Sequence, residues 1–305
     1  MQRLETVLNI QGLQLTNTTV VRTHAGSRST RRYTVEVEGE KRCFFVKISA
    51  RDRSDVARLL YSFHSAPSGE DQVHQVPVPL WLGDQGRLLV FEKAPGIDAR
   101  AALKAGQEGL GNATARWLCA FHERQLPLPM PYRWFHPLTK ACRWASSLAT
   151  RSPELKKLSE LLLEALENAG VVWPTTPHIV HGDFNLSHIF LHNGCTTVID
   201  WDSWRIGDAA EDAGRFLASL HRAAIRTPAL QMHAERERRD FIRTLLIGDD
   251  GRNGQLQFYE AWACFQKASR LGTRHEPSRK RAAALMLQAG LLALQQRDSG
   301  RLVDH

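Results

Sequence analysis

The chain has 305 residues, a formal net charge of +8, and 43 % hydrophobic and 24 % charged residues. This is enough chain for one large or two small domains with real cores, and the composition is that of an ordinary soluble protein. The five cysteines, Cys43, Cys119, Cys142, Cys195 and Cys264, are scattered and include no C-x-x-C pair. That argues against a zinc site or a disulfide framework and for a reducing cytosol.

In chain order, the start MQRLETVLNI lacks the basic-then-apolar layout of a secretory signal. Strands are expected at 18–21, 32–37 and 43–48, the second by its alternation. Between the first two lies His24 to Thr30, a loop rich in small residues. Its Gly26 and Ser27 let backbone N–H groups approach phosphates, although it is neither a G-x-G-x-x-G nor a Walker sequence. Lys47 stands in the apolar strand Phe44 to Ile48, on the face opposite Val46 and Ile48. It points either to solvent or into a cleft. A helix over 53–64 follows, with Val56, Leu59, Leu60 and Phe63 on one face. Strands at 78–83 and 87–91 complete a small sheet, and Glu92-Lys93-Ala94-Pro95-Gly96 turns the chain out of it.

From Asp98 the pattern is helical, with helices expected at 97–104, 112–124, 137–150 and 153–169. The stretch His181 to Asp212 breaks this run. Ile179-Val180 leads into His181-Gly182-Asp183, and a strand at 189–191 reaches Asn193-Gly194, whose residues suit the positive φ of a two-residue hairpin turn. The return strand 196–199 ends at Asp200-Trp201-Asp202. Such a hairpin holds Asp183 and Asp200 at its two ends. One carboxylate can accept a proton from a hydroxyl while the other holds Mg²⁺ against phosphate oxygens. Helices at 209–222, 229–247, 255–271 and 277–297 close the chain, and the apolar run Ala282 to Leu294 is too short to span a bilayer.

The segments His181-Gly182-Asp183, Ile199-Asp200-Trp201 and Gly207-Asp208 with Asp212 resemble, in order and spacing, the catalytic pattern of the aminoglycoside phosphotransferase and choline kinase-like family. The resemblance implies an α+β, two-lobed protein-kinase-like fold. Residues 1–93 would form a small antiparallel β-sheet lobe that binds nucleotide, and 94–305 a larger, mainly helical lobe with the catalytic hairpin and acceptor site. It implies Asp183 as the catalytic base, Asp200 as the principal metal ligand, and Lys47 on the α- and β-phosphates of ATP or GTP. It places Glu92 and Ala94 at the adenine edge. It also calls for an acidic partner to Lys47 on the helix after the third strand, where Asp55 is the better of two candidates.

One position departs. The family's metal-binding Asn should stand at 188, and the chain has His188. Three readings stay open: His188 ligates metal and favours Mn²⁺ over Mg²⁺; Asp200, helped by Asp202, carries the metal alone; or the site is a nucleotide-binding scaffold that transfers nothing. The second is preferred because Asp183, Asp200 and Lys47 are all present.

The expected function is phosphoryl transfer from ATP or GTP to a hydroxyl of a small molecule in the cytoplasm, with Mg²⁺ as cofactor. The partners are the nucleotide triphosphate and the acceptor. No nucleic acid is expected, because no zinc finger, RNP-type motif or basic zipper accompanies the basic charge. From residue 221 onward there are fifteen Lys/Arg and nine Asp/Glu. A polycationic acceptor is therefore disfavoured against a neutral or anionic metabolite or sugar.

Overall fold

The computed structural model of the protein describes residues 14–24, 28–37, 39–65, 73–124, 126, 136–170, 177–246, 253–272 and 276–301. They fall into two units, Met1–Gly96 with Phe190–Asp202, and Ile97–Ile189 with Ser203–His305.

The first unit is built on five antiparallel strands in the order β1-β2-β3-β6-β5. These are β1 (Gln14–His24), β2 (Arg28–Val37), β3 (Glu40–Ser49), β5 (Pro79–Gly83) and β6 (Leu88–Glu92), with β4 (His74–Gln75) elsewhere. Alternation decides which face is covered. Phe44 and Val46 are buried on β3, and Leu89, Val90 and Phe91 on β6. Helix α1 (Ser54–Ser65) covers the sheet with Val56, Leu59, Leu60 and Phe63, the face its periodicity marks. The same unit takes in the hairpin of β9 (Ile189–His192) and β10 (Cys195–Val198) from Phe190 onward. Asn193 and Gly194 turn it at φ +47° and +78°, the left-handed pair that matches strand twist.

That placement corrects the expected division at residue 93, which left the hairpin wholly with the C-terminal part. The physical reason is main-chain pairing. β10 runs parallel to β4 with Thr196 opposite His74 and Thr197 opposite Gln75, and Thr196 N–H donates to the Val73 carbonyl at 2.8 Å. Gly96, at φ +79°, passes so close to the Leu191 carbonyl that a Cβ would collide with it.

The second unit opens with the two-residue β7 (Ile97–Asp98). Asp98 then caps α2 (Ala99–Lys104) by accepting the Ala101 N–H at 2.8 Å. Helices α3 (Leu110–Glu123), α4 (Pro137–Ala149) and α5 (Pro153–Ala169) follow. β8 (His178–Val180) pairs antiparallel with β11 (Arg205–Gly207), and α6 (Ala210–Arg226), α7 (Gln231–Leu245), α8 (Asn253–Gly272) and α9 (Pro277–Arg301) complete it. One core joins Ala141, Leu148, Leu155 and Leu162 to Trp262, Phe265 and Leu287. A row of aromatic rings runs from Trp117 to Phe184 (5.7 Å between centroids), Phe216 (6.2 Å) and Phe241 (4.5 Å). Among the described residues no helix is long and apolar enough to cross a membrane.

Phe216 sits in the middle of that row and is fully buried. Phe216→Ala is expected to cost about 3–5 kcal/mol of stability, read as a lowered midpoint in urea denaturation.

Candidate functional site

In the first unit the functional side chains gather where the hairpin ends against β3. Register places Lys47 between Thr30 of β2 and Leu89 of β6. Its ammonium donates to Asp200 Oδ1 at 2.5 Å and to Asp202 Oδ1 at 3.2 Å. Asp200, one residue beyond the end of β10, takes φ +69°, a left-handed conformation that Asp tolerates better than most residues and that recurs at functional sites. The buried Trp201 anchors the turn by donating its indole N–H to the Val198 carbonyl at 2.9 Å. Arg28 reaches Asp202 Oδ2 at 3.2 Å, and Arg53 donates to the Asp202 carbonyl at 2.9 Å. Arg28, Lys47, Arg53 and Arg87 line one cleft with Asp202. Four cations around the two acids Asp200 and Asp202 leave a surplus of positive charge that suits a polyphosphate.

The acids that carry Lys47 thus come from the hairpin end, which corrects the expectation for Asp55. That residue lies in the first turn of α1, 3.7 Å from Arg53 Nε. Glu92 ends β6 paired with Arg42 at 2.9 Å, and the next N–H, of Lys93, is taken by the Cys43 carbonyl at 2.9 Å. Ala94 is nearly buried beyond it. Gly26 and Ser27 lie outside the described residues.

Asp200 and Asp202 offer hard oxygen donors side by side, and a cation already bridges them. Their chemistry fits Mg²⁺, which proteins hold through one or two carboxylates together with substrate phosphates. Among the described residues no three His, Cys, Asp or Glu side chains form a ready-made metal cluster.

In the second unit, β8 and β11 set the loop that carries Asp183. His181 is fully buried. Gly182 takes φ +75°, with the Ser203 carbonyl so near that a Cβ would overlap it; only glycine meets both conditions. The carboxylate of Asp212, at the start of α6, accepts the N–H of His181 at 2.6 Å and of Gly182 at 2.9 Å. Asp183 N–H then donates to His181 Nδ1 at 3.2 Å, Phe184 enters the aromatic row, and Leu186 N–H donates to Ser219 Oγ of α6 at 3.3 Å. Asn185 closes the loop on itself. Its Nδ2 donates to the Asp183 carbonyl at 2.8 Å and its Oδ1 accepts the Ser187 N–H at 3.0 Å.

His188 lies against this loop with Nδ1 2.9 Å from the Asp183 carbonyl and 3.9 Å from Asp183 Oδ2. Nδ1 also lies 3.1 Å from the Asn185 Nδ2 donor, so it faces one acceptor and one donor and finds a partner in either tautomer. The Asp183 side chain is 31 % exposed.

Arg28, Arg53 and Asn185 were not among the residues singled out from the sequence. The two arginines come from separate strands and turns with no spacing to tie them to Asp202. Asn185 carried a signal, since Asx residues two positions from a loop carbonyl habitually bond it.

Burial and the neighbouring charge of Glu211 push the Asp212 carboxyl up to about 7, against the pull of the two N–H donors. Glu211 goes the other way. Its own burial would raise it, but Arg205 and Arg215 outweigh that and hold it low. Because the folded value of Asp212 lies above the ordinary 3.8, the folded state binds this proton more tightly than the unfolded chain. Its contribution to stability is therefore full below pH 4 and is lost as pH rises through about 7, at up to about 1.4 kcal/mol per pH unit. Asp212→Asn removes that slope and sets an NH₂ against one of the two N–H donors. The unfolding free energies of parent and variant, measured by urea titration between pH 4 and 8, are expected to converge as pH rises.

The sequence model of the Phosphotransferase enzyme family matches residues 20–291. No curated protein matches the sequence at a significant level. Among solved structures, a thermostable mutant of aminoglycoside phosphotransferase APH(4)-Ia, in ternary complex with ADP and hygromycin B, is similar at 15 % identity and TM-score 0.61, over 96 % of this chain and 97 % of that one. Amicoumacin kinase hAmiN, in complex with AMP-PNP, Ca²⁺ and Ami, is similar at 14 % identity and TM-score 0.58, over 97 % of this chain and 93 % of that one. A choline/ethanolamine kinase family protein from Mesorhizobium loti is similar at 13 % identity and TM-score 0.56, over 87 % and 89 %. At these identities the likeness is one of fold, the protein-kinase-like fold that the sequence motifs imply.

Proposed function

Because the chain belongs to the phosphotransferase enzyme family, we propose that it transfers the γ-phosphoryl group of ATP or GTP to a hydroxyl of a small neutral or anionic molecule. The observation that carries this reading is the Lys47 ammonium held by Asp200 and Asp202 in a cleft lined with arginines. Lys47, Arg28 and Arg53 neutralise phosphate oxygens. Glu92 and Ala94 present main-chain groups to the base, and the sequence alone assigns Gly26 and Ser27 to the phosphates. Asp200, with Asp202, holds Mg²⁺, which when bound stabilises the charge on the β- and γ-phosphate oxygens.

Asp183 orients the acceptor hydroxyl and takes its proton as the oxygen bonds to the γ-phosphorus and the nucleoside diphosphate leaves. The loop's closed hydrogen bonding fixes the carboxylate before the acceptor arrives, so little of the binding free energy is spent on ordering it. The metal is carried by Asp200 with Asp202, and His188 packs against the Asp183 loop with its Nδ1 at the Asp183 carbonyl and the Asn185 amide; a ligating imidazole would favour Mn²⁺ over Mg²⁺. Residues 1–96 with the hairpin serve the nucleotide, and the helical unit serves the acceptor. The cytoplasmic setting follows from five scattered cysteines with no C-x-x-C pair in the sequence.

Asp183→Asn is expected to lower kcat by about 10²–10⁴-fold with nucleotide affinity retained; near-parental turnover in an ADP-release assay removes Asp183 from the mechanism. Asp200→Ala is expected to abolish metal-dependent nucleotide binding by calorimetry, and undiminished Mg-ATP affinity would misplace the metal. For His188→Asn, the ratio of kcat/KM in Mn²⁺ to that in Mg²⁺ is expected to stay near the parent's. A fall in that ratio makes His188 a metal ligand, and no turnover by the parent with any metal and acceptor favours a nucleotide-binding scaffold.

A further inference from the structure

The four cations of the first unit's cleft are set by one connected stretch of main-chain bonding. Lys47 and Ser49 lie on β3. Arg28 of β2 stands opposite Ser49 in the strand register, and the Ser49 N–H donates to the Arg87 carbonyl at 2.8 Å. The Arg53 N–H donates to the carbonyl of Gly86, the neighbour of Arg87, at 2.9 Å. The turn into Arg87 is left-handed at three successive residues, with φ +51° at Asp84, +54° at Gln85 and +80° at Gly86. Two of these are not glycine, and such backbone is uncommon and clusters at functional sites.

The side chains of Arg28, Lys47, Arg53 and Arg87 line the cleft together, and Asp202 joins three of them. Its carboxylate accepts from Lys47 at Oδ1 and from Arg28 at Oδ2, each at 3.2 Å, and its carbonyl accepts from Arg53 at 2.9 Å. Lys47 also holds Asp200. Two acids therefore offset only two of the four cations. A single divalent cation on Asp200 and Asp202 raises the excess to match a fully ionised nucleoside triphosphate, with its about four negative charges, and a second one overshoots it. Arg28 can be spared for this work. Its side chain and that of Asp202 are 44 % and 16 % exposed, and ion pairs reached by water are weak. A planar guanidinium, in contrast, grips phosphate oxygens with two parallel bonds. Protein kinases hold a second Mg²⁺ on the Asn of the catalytic loop. At the corresponding position His188 offers nitrogen, a poor donor for that ion, and its Nδ1 is turned to the Asp183 carbonyl and the Asn185 amide.

We propose that Arg28, supported by Arg53 and Arg87, supplies the charge that a second magnesium ion supplies in protein kinases, so that the donor triphosphate binds with a single divalent cation. This rests on the phosphotransfer reading above and deepens it. Arg28 exchanges Asp202 for phosphate oxygens as the donor enters, and Asp202 is thereby released to join Asp200 on the metal. Arg53 keeps the turn that carries both acids in place through the Asp202 carbonyl.

The test counts metal ions and reads donor binding apart from turnover. Mn²⁺ is titrated into the protein saturated with AMP-PNP or GMP-PNP, and the bound ions are counted by electron paramagnetic resonance. One ion per protein is expected; two overturn the proposal. Calorimetry with the same manganese-loaded analogues is expected to show Arg28→Gln binding about tenfold or more weaker than the parent, and Arg28→Lys, which keeps the charge, weakened less. Unchanged affinity in Arg28→Gln overturns the proposal. The thermal midpoint of nucleotide-free Arg28→Gln is expected to stay at the parent's, since the pair it removes is exposed; a fall marks a structural role and counts against it. In each of these failures, turnover by the parent leaves phosphotransfer standing. One bound ion and weakened Arg28→Gln binding, without turnover of any acceptor, does the reverse. No binding of either analogue by the parent with Mn²⁺ overturns both.

Discussion

The carboxylate of Asp212 is the constraint on which the Asp183 loop depends. It lies fully buried at the start of α6 and takes the main-chain N–H groups of His181 and Gly182. Everything beyond follows from the backbone it fixes. Gly182 can adopt its positive φ because no side chain meets the Ser203 carbonyl, Asp183 emerges at a set angle, and Phe184 drops into the aromatic row. A buried N–H left without an acceptor costs about 1–3 kcal/mol, so a carboxylate that satisfies two of them at once holds the loop against many alternatives. The cost is its own desolvation beside Glu211, which is why its proton affinity is so raised.

Glu211 shows how that cost is contained. Two successive acids at a helix start would repel each other in a dry interior, yet Glu211 is flanked by Arg205 from β11 and Arg215 one turn along α6. The guanidiniums hold Glu211 below its usual range, while Asp212, buried beside it, is pushed up. Arg215 also stacks over Trp262 at 4.8 Å, so a charged group required near the loop is supported by the core of α4, α5, α8 and α9. Electrostatics at the loop and packing in the helices are thus one problem solved by the same residues.

Much of this was legible in the sequence. Helix faces followed from 3.6-residue spacing, as in α1, where Val56, Leu59, Leu60 and Phe63 are indeed buried. The hairpin turn followed from Asn193-Gly194, since few residue pairs accept two positive φ values. Less legible were contacts between distant segments. Asp55 was the acid within the helix that follows Lys47, but strand register carries the Lys47 side chain toward the end of β10, 153 residues away. The hairpin's attachment to the first unit rests on two residue pairs with β4, a strand too short to leave a periodic signal.

The two carboxylate centres differ in how readily they exchange partners, and the difference suits their places. Lys47, Asp200 and Asp202 have side chains 20 %, 27 % and 16 % exposed. Ion pairs reached by water are worth little, commonly under about 1 kcal/mol, so Lys47 can release a carboxylate to grip a phosphate, and Asp200 can accept a different cation, at small cost. The backbone beneath them is stiff, set by the left-handed Asp200 and the buried Trp201. Asp212 has the opposite character: full burial and two short main-chain bonds leave it no partner to trade. A phosphoryl-transfer enzyme needs both, since charges must be exchanged as nucleotide and metal come and go, while the base that meets the acceptor must not move.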